Sequence, residues 1–330
     1  MASNLYIHFP FCRTKCSYCN LYSRAGINAS ERESYVHEII QSVNRLIGKS
    51  VNLKTIYFGG GSPALCDLRP ILSILHSPEF TVELHPLDVN EELLSMLKAG
   101  GVNRISMGVQ SMNDEVLKVM GRGYTVEVAH RAFDLVKRYF ENVGIDLIVG
   151  YPGDERVEIP DWGFTHCSVY ALQNERKLKG AAEDEVVMDR LKVAEGRLKE
   201  LGLKRYEISN YAREGYECQH NLAVWRGEDY LGIGEGACGR VGLKRTRGVR
   251  RNGEIEYAEE LVGEDFDRKE RAFFRLRTRE GFDAGGFPEL VPTLERFVSE
   301  GLLQNKAGSA VYQLTERGTE VCDSILAELL

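Results

Sequence analysis

The chain has 330 residues, with 42 Lys and Arg against 49 Asp and Glu and a net charge of −7; this argues against a dedicated nucleic-acid binder, which presents a basic face. Hydrophobic residues make up 43% and charged residues 28%, the composition of a soluble globular protein long enough for a unit of barrel size and a smaller one. No charged leader precedes an apolar run and no stretch approaches the length of a membrane span, so a cytoplasmic protein with at most peripheral membrane contact is expected.

In chain order, the apolar run Leu5–Phe9 reads as a first strand and delivers the chain to Cys12, Cys16 and Cys19. Three thiolates this close leave one iron of a four-iron cluster without a protein ligand. A structural zinc would need a second CxxC pair or an H-x3-5-H element, and neither exists. A reducing compartment fits, because ligand thiolates must stay reduced. Ser30, with Glu33 as its capping-box partner, is expected to open the first helix, whose apolar face is Tyr35, Ile39, Ile40, Val43 and Ile47. The second strand, Thr55–Phe58, closes on Gly59-Gly60-Gly61-Ser62-Pro63. Glycines there let the backbone approach a ligand and offer N–H groups to a carboxylate or carbonyl.

Strands continue at Thr81–Leu84, Arg104–Val109, Gly144–Val149 and Cys167–Leu172, with Asn90, Asn113 and Thr125 as N-caps of intervening helices and the last helix reaching about Phe140. Pro152, Gly153 and Pro160 break the pattern, so no full helix is expected between the fifth and sixth strands. Repeated βα units imply an α/β fold with a parallel sheet and right-handed crossovers. The expected architecture is a partial (β/α)6 barrel with its chemistry at the C-terminal ends of the strands. A helix from about Ala182 to Leu201 follows, then a Gly/Asn/Tyr-rich segment, Tyr206 to Gly242. A basic run, Lys244, Arg245, Arg247, Arg250 and Arg251, reads as a loop, and from about Gly253 the chain reads as helical and charged. It ends in a β-like element, Ala310–Leu314, and a helix, Thr315–Leu329, capped by Thr315, which together predict a small, mostly helical, winged-helix-like domain. The expected division is 1–205, 206–242 and 243–330. Cys66, Cys167, Cys238 and Cys322 read as small core residues.

The cysteine loop resembles that of the radical S-adenosylmethionine (radical SAM) superfamily. The resemblance implies a [4Fe–4S] cluster on Cys12, Cys16 and Cys19, with the open iron chelated by S-adenosylmethionine (SAM), which an electron from the cluster cleaves to methionine and a 5′-deoxyadenosyl radical. The glycine turn resembles the GGE-type motif in the GGGTP form of the oxygen-independent coproporphyrinogen III oxidase-like family, which includes a HemW-type haem-chaperone branch. TVELHP (81–86), NRISMGVQSMNDEVLKVMGR (103–122) and DLIVGYPG (146–153) resemble further elements of that family. Residue by residue, the resemblance implies that Tyr6, Gly60, Gly61, Ser62, Glu83, Gln110, Arg122 and Asp146 contact SAM and that Tyr18 packs on it. The residue types agree: Glu83 and Asp146 accept from ammonium, ribose or amide groups, and Arg122 pairs with a carboxylate.

The segment 206–239 resembles a haem-chaperone element with the pattern HNxxYW, here with Val224 in place of the tyrosine. The resemblance implies that His220, Asn221 and Trp225 hold haem as cargo, with Cys218 as an alternative ligand. The basic run then reads either as solvated or as partners for haem propionates or acidic lipids. The family's oxidases usually carry a further cysteine directly after the triplet and a longer N-terminal extension; here Asn20 and Leu21 follow Cys19, and the triplet starts at residue 12. The HNxxxW segment and the short N-terminus both favour the carrier branch, which implies delivery of haem to respiratory haem proteins, over oxidation of coproporphyrinogen III propionates to vinyl groups. The C-terminal domain is open to dimerisation, lid or binding roles, a homodimer among them. A family stretch expected after Asn174 is missing, which implies a trimmed and more open pocket edge.

Overall fold

One alternation repeats through six strands. In Asn4–Phe9, Thr55–Gly60, Glu79–Leu84, Arg104–Gln110, Asn142–Val149 and His166–Ala171, every second side chain is apolar and sealed. Leu5, Ile7, Phe9, Ile56, Phe58, Phe80, Val82, Ile105, Met107, Val109, Val143, Ile145, Leu147, Cys167 and Val169 are each at most 2% exposed. They form one cluster with helix residues such as Tyr35, Ile39, Leu94, Phe133 and Leu198. Successive Cβ atoms on a strand point to opposite faces, so the remaining side chains, among them Tyr6, His8, Tyr57, Glu83, Arg104, Ser106, Asp146 and His166, share the other face. The sheet therefore has a greasy outside under helices and a polar inside.

The computed structural model describes residues 2–47, 52–173, 177–305 and 309–329. The six strands pair in parallel in chain order, and the α/β partial barrel with a smaller C-terminal domain is the architecture observed. The first helix, Ala29–Leu46, is capped two residues before the expected Ser30: Asn28 and Glu31 form the capping box, because Asn caps as well as Ser and has a Glu at the same spacing. Asn90, Asn113 and Thr125 cap the helices Glu91–Ala99, Asp114–Met120 and Val126–Tyr139. No helix forms between the fifth and sixth strands, and Asp184–Glu200 follows the sixth. The stretch just after Asn174 begins outside the described residues.

The sheet does not close on itself. Tyr230–Ile233 adds in parallel to the first strand, and Cys238–Val241, Lys244–Arg251 and Glu254–Leu261 extend that edge as antiparallel strands. Asn210–Ala212 and Lys204–Arg205 extend the other edge, giving twelve strands. The basic run is thus a strand of a hairpin, not a loop, and the large sheet continues to Leu261, beyond the boundary expected at residue 243. The smaller domain has its own apolar cluster, including Phe273, Phe282, Phe287, Leu294, Phe297 and Tyr312. It combines the helices Glu264–Phe274 and Val291–Ser299 with a three-stranded sheet. The expected last helix is broken at Val321 into Glu316–Glu320 and Cys322–Leu329, with Thr315 capping the first. Cys66, Cys167 and Cys322 are buried, whereas Cys238 is exposed, because its strand lies in the extension rather than in the core. No described helix is long and apolar enough to cross a membrane.

A short helix, Gln219–Trp225, plugs the N-terminal end of the barrel. Glu79, the first residue of the third strand, accepts the backbone N–H of Gln219 at 2.8 Å and of His220 at 2.8 Å, and the Cys218 thiol at 3.7 Å. One carboxylate thus satisfies the orphan donors of that helix from across the sheet. Glu79→Ala is expected to destabilise the protein by about 2 kcal/mol, the cost of leaving such donors unmet, and to shift Trp225 fluorescence. Denaturant unfolding checks it; a change below about 0.5 kcal/mol, the size of an ordinary surface substitution, would show that the helix holds without this cap.

Candidate functional site

At the opposite end, a cavity of about 460 Å³ opens at the C-terminal ends of the barrel strands, lined by Cys12, Cys16, Cys19, Tyr18, Gly60, Gly61, Glu83, Gln110, Arg122 and Asp146 together with His85, Gly108, Tyr170 and the apolar Leu21, Ile148 and Leu172. The cysteine loop is closed at its base by a two-residue parallel pairing, Phe11 with Arg24 and Cys12 with Ala25. Lys15 Nζ donates within it to the Leu21 carbonyl at 2.7 Å and to Ser23 Oγ at 2.5 Å. The Ser17 N–H docks on the Met120 carbonyl at 3.2 Å, anchoring the loop to the Asp114–Met120 helix. His8 Nε2 holds the Tyr22 carbonyl at 2.8 Å. Among the described residues no three His, Cys, Asp or Glu side chains converge on a single metal ion. The three thiols nevertheless face one cavity, a spread that suits a cluster with its irons at separate corners better than one tetrahedral zinc. Burial, and after it the neighbouring thiols Cys19 and Cys16, push the Cys12 thiol up, which is the environment a cationic iron centre relieves.

The glycine turn is shaped by contact. A Cβ on Gly59 would lie 3.0 Å from the Glu83 carboxyl carbon, one on Gly60 2.6 Å from the His8 ring, and one on Gly61 2.4 Å from the Phe11 carbonyl oxygen and 2.9 Å from Cys12 Sγ. Contrary to expectation, the turn offers no spare donors. The Gly60 N–H goes to Glu83 at 3.1 Å, the Gly61 N–H to the Phe9 carbonyl at 2.7 Å, and the Ser62 N–H to the Phe11 carbonyl at 2.7 Å. The turn is spent on docking the cysteine loop, and it presents acceptors rather than donors to a ligand. Ser62 does not line the cavity: its hydroxyl donates to buried Asp88, which also holds Arg13 at 2.6 Å.

Glu83 accepts from the Tyr57 hydroxyl at 2.8 Å, and burial, with the Asp146 charge second, pushes its carboxyl up to about 7. Asp146 accepts from Ser106 at 3.1 Å, and burial raises its pKa as well. Arg122 follows the left-handed Gly121 (φ 80°) that ends the Asp114–Met120 helix. Its guanidinium donates to the Gly108 carbonyl at 2.6 Å, the Tyr124 hydroxyl at 2.9 Å, the Tyr18 hydroxyl at 3.3 Å and Cys16 Sγ at 3.6 Å. Gln110 ends the fourth strand at a bulge with φ 73°, a conformation L side chains rarely adopt and one that recurs at functional sites. Its amide folds back over Gly108, where a Cβ would meet it at 2.7 Å.

Tyr6 lies below the cavity rather than on its wall. Its hydroxyl bonds His8 Nδ1 at 2.8 Å and its ring packs 6.1 Å from Tyr57 and 6.4 Å from His220. Sequence reasoning missed His8, His85, Tyr170 and the Arg13–Asp88 pair. The YxH alternation on the first strand placed His8 inside, and was the available signal; nothing local marks Asp88, which acts through folding.

The residues expected to hold haem are at the other end of the barrel. His220 is 4% exposed, bonds Thr55 Oγ1 through Nδ1 at 2.8 Å and packs on Tyr57 at 5.3 Å. Burial, with Arg104 second, lowers its pKa to about 3. Cys218 is fully buried and its thiol is pushed up to about 12 by burial. Trp225 is half-buried under the Arg277 guanidinium, 4.6 Å from its ring centre, and Asn221 is half-buried. His220 and Cys218 are thus sealed in this arrangement, whereas Asn221 and Trp225 keep partial exposure. The basic run is also engaged: Arg245 pairs with Asp267 at 2.7 Å and Glu270 at 2.5 Å, Arg250 with Glu38 at 3.1 Å and Glu235 at 3.0 Å, and Lys244 with Glu259 at 2.7 Å. Acids from neighbouring elements thus balance Lys244, Arg245 and Arg250, while Arg247 and Arg251 are exposed.

Residues 6–162 match the family model described as the radical SAM superfamily. The chain is 31% identical to "Heme chaperone HemW" of Bacillus subtilis, over 98% of this chain and 99% of that protein. It is 31% identical to the protein of the same name in Escherichia coli, over 98% and 97%. Among solved structures, the E. coli coproporphyrinogen III oxidase HemN superposes with a TM-score of 0.82 over 99% of this chain and 90% of that one, at 19% identity, a likeness of fold. The chain belongs to the radical SAM superfamily, within its HemW/HemN-like branch.

Proposed function

We propose that the protein is a haem carrier of HemW type that holds a [4Fe–4S] cluster on Cys12, Cys16 and Cys19 and SAM in the adjoining cavity, and passes haem to respiratory haem proteins. The observation that carries this reading is the convergence of three thiols with Glu83, Gln110, Arg122 and Asp146 on one cavity, in a chain related over nearly its full length to proteins named haem chaperones. The cluster, when bound, supplies an open iron and a source of one electron. The residues supply recognition. Glu83 and the glycine turn present acceptors to an ammonium group, Arg122 a guanidinium to a carboxylate, and Asp146 an acceptor for hydroxyl groups. Tyr18 and Ile148 give apolar surface for a flat ring.

Glu83 gives this reading a pH signature. Burial, with the Asp146 charge second, lifts its carboxyl from the usual 4.5 to about 7. The folded chain therefore keeps a proton that the unfolded chain releases. Stability from this group is greatest below that window and falls as pH rises from 4.5 through about 7. An ammonium ligand reverses the preference, so SAM binding releases the proton and tightens with pH. Isothermal titration of the cluster-loaded protein is expected to show SAM affinity rising by up to about tenfold per pH unit below 7, the limit for one linked proton. Glu83→Gln should weaken binding and flatten the profile; an unchanged slope in the variant would remove Glu83 from the ammonium site.

The haem reading for His220, Asn221 and Trp225 requires the floor helix to leave its seat, since His220 is sealed by Thr55 and Glu79. Haem uptake is then limited by opening. In stopped-flow Soret measurements the rate should level off at high haem. Glu79→Gln should raise that plateau by about tenfold, the factor corresponding to a latch weaker by about 1.4 kcal/mol, and His220→Ala should remove the saturable component. A rate that grows linearly with haem and ignores both substitutions would move the cargo to the apolar rim of Leu21, Tyr170 and Leu172 beside the cysteine loop.

A further inference from the structure

We propose that Glu235 is a positioning residue for the cysteine loop: a single buried carboxylate beyond the barrel fixes the loop's return leg and so sets how Cys12, Cys16 and Cys19 face the cavity. The inference rests on the cluster reading of that loop. Glu235 sits in the turn between Tyr230–Ile233 and Cys238–Val241, flanked by glycines with φ 107° and 89°. Both glycines are dictated by contact with the loop and the strand that leads into it. A Cβ on Gly234 would lie 2.6 Å from the His8 carbonyl oxygen, and one on Gly236 2.8 Å from Tyr22 Cβ. The turn is pressed onto the cysteine loop, and only the Glu235 side chain enters the junction.

The Glu235 side chain is 5% accessible. Oε1 accepts the Tyr22 hydroxyl, and Oε2 accepts Arg24 Nη2 at 3.1 Å and Arg250 Nε at 3.0 Å. Tyr22 and Arg24 are the return leg itself, following Cys19, and Arg24 is the residue that pairs with Phe11 to close the base of the loop. Arg250 carries the connection outward, to Glu38 of the Ala29–Leu46 helix at 3.1 Å. The Glu235 N–H donates to the Tyr35 hydroxyl at 3.0 Å, which donates in turn to the His8 carbonyl at 2.6 Å. Other ties of the loop, among them those through Lys15, Arg13, Ser17, His8 and Arg122, run within the loop or to the barrel. Lys15 also binds two residues of the return leg, but from inside the loop; Glu235 differs in binding two of them from an element beyond the barrel. It is also the neutralising partner of Arg24, whose Nε is already buried without a hydrogen-bond partner. Without the carboxylate, two guanidinium groups and a phenol at the junction lose their shared acceptor, and a partly buried cation left without its partner drives local rearrangement. The nearest segment free to rearrange is the exposed cysteine loop, since the sheet on the other side is held by its ladder.

The test compares wild type with Glu235→Gln, Glu235→Asp, Tyr22→Phe and Arg250→Gln. In the cluster-free full chain, alkylation of each cysteine is followed by mass spectrometry. Cys12, Cys16 and Cys19 should react at least about fivefold faster in Glu235→Gln, as local opening of a clamped segment predicts, while buried Cys66, Cys167 and Cys322 stay as slow as in wild type. After anaerobic reconstitution, the variant should lose iron to a chelator several-fold faster and show an altered reduced-cluster EPR signal, with Glu235→Asp restoring most of both and Tyr22→Phe and Arg250→Gln giving smaller effects of the same sign. Wild-type alkylation rates, chelator lifetime and EPR signal in Glu235→Gln overturn the proposal. If Glu235→Gln unfolds, the buried cysteines report it by reacting too; Tyr22→Phe and Arg250→Gln then decide, and unchanged loop reactivity in both overturns the proposal. A wild-type chain that takes up no cluster would refute the cluster reading instead, and the alkylation arm would still judge the clamp.

Discussion

The strict alternation of the six barrel strands is the constraint on which everything else depends. With Leu5, Ile7, Phe58, Val82, Ile105 and Ile145 sealed under the helices, their neighbours in sequence have no choice but to face inward. A slip of one residue in any strand would put Glu83 or Asp146 into the apolar layer and a valine or isoleucine into the cavity. The chemistry facing the cavity is therefore specified by the burial of residues on the opposite face of the sheet. Packing supplies the register, and register places the polar groups.

The same alternation creates a problem that the two ends of the barrel solve differently. An inward face of polar groups needs partners, and an open sheet leaves room inside. At the N-terminal end the Gln219–Trp225 helix fills the space, its donors capped by Glu79 and its imidazole held by Thr55. At the C-terminal end no described helix plugs the opening. The cysteine loop instead lies over it, and the cavity stays. Between the two, Arg104 is 1% exposed and leaves its Nε without a partner, as do Thr81 Oγ1, its register neighbour, and His166 Nδ1. Orphaned donors and acceptors this deep are places where ordered water resides.

Much of this was legible in the sequence, and the unevenness has a physical cause. The strands, four of five expected N-caps and the missing helix after the fifth strand depend on local periodicity and turn chemistry, which a sequence displays directly. The cysteines, Glu83, Gln110, Arg122 and Asp146 sit in short motifs at strand or helix ends, and they meet at one cavity. What failed depended on distant contacts. Lys244–Arg251 looked like a loop because its charges seemed solvated, yet it runs as a strand, with Arg245 and Arg250 paired to acids from Glu38 to Glu270. Ser62 looked like a ligand and is a hydrogen-bond partner of Asp88, 26 residues away. His220 looked available because a sequence does not show that Thr55 and Glu79 will close over it. Glu235 was invisible as a structural centre, since the partners of its carboxylate come from the cysteine loop and from a strand beyond the barrel.

The floor and the cysteine loop are not independent, because the inward face of one strand serves both. Tyr6 rests against His220 below, and its hydroxyl bonds His8 above; His8 in turn holds the Tyr22 carbonyl and packs on Gly60. His8 is neutral in this setting, burial foremost lowering its pKa, so one ring nitrogen donates and the other accepts. With Nε2 donating to the Tyr22 carbonyl, Nδ1 must accept from Tyr6. The Tyr22 carbonyl, which can only accept, thus sets the tautomer, and the hydroxyl of Tyr6, whose ring is packed by the floor, supports it by donating to Nδ1. Lifting His220 withdraws support from Tyr6, loosens the donor to His8 Nδ1, and reaches the leg of the loop that Glu235 clamps from the other side. Neutral hydrogen bonds of this kind carry about 1 kcal/mol each, enough to bias the arrangement of a loop several-fold and too little to unfold a barrel. A chain that binds cargo by opening its floor would transmit that event to the cysteine loop through these contacts.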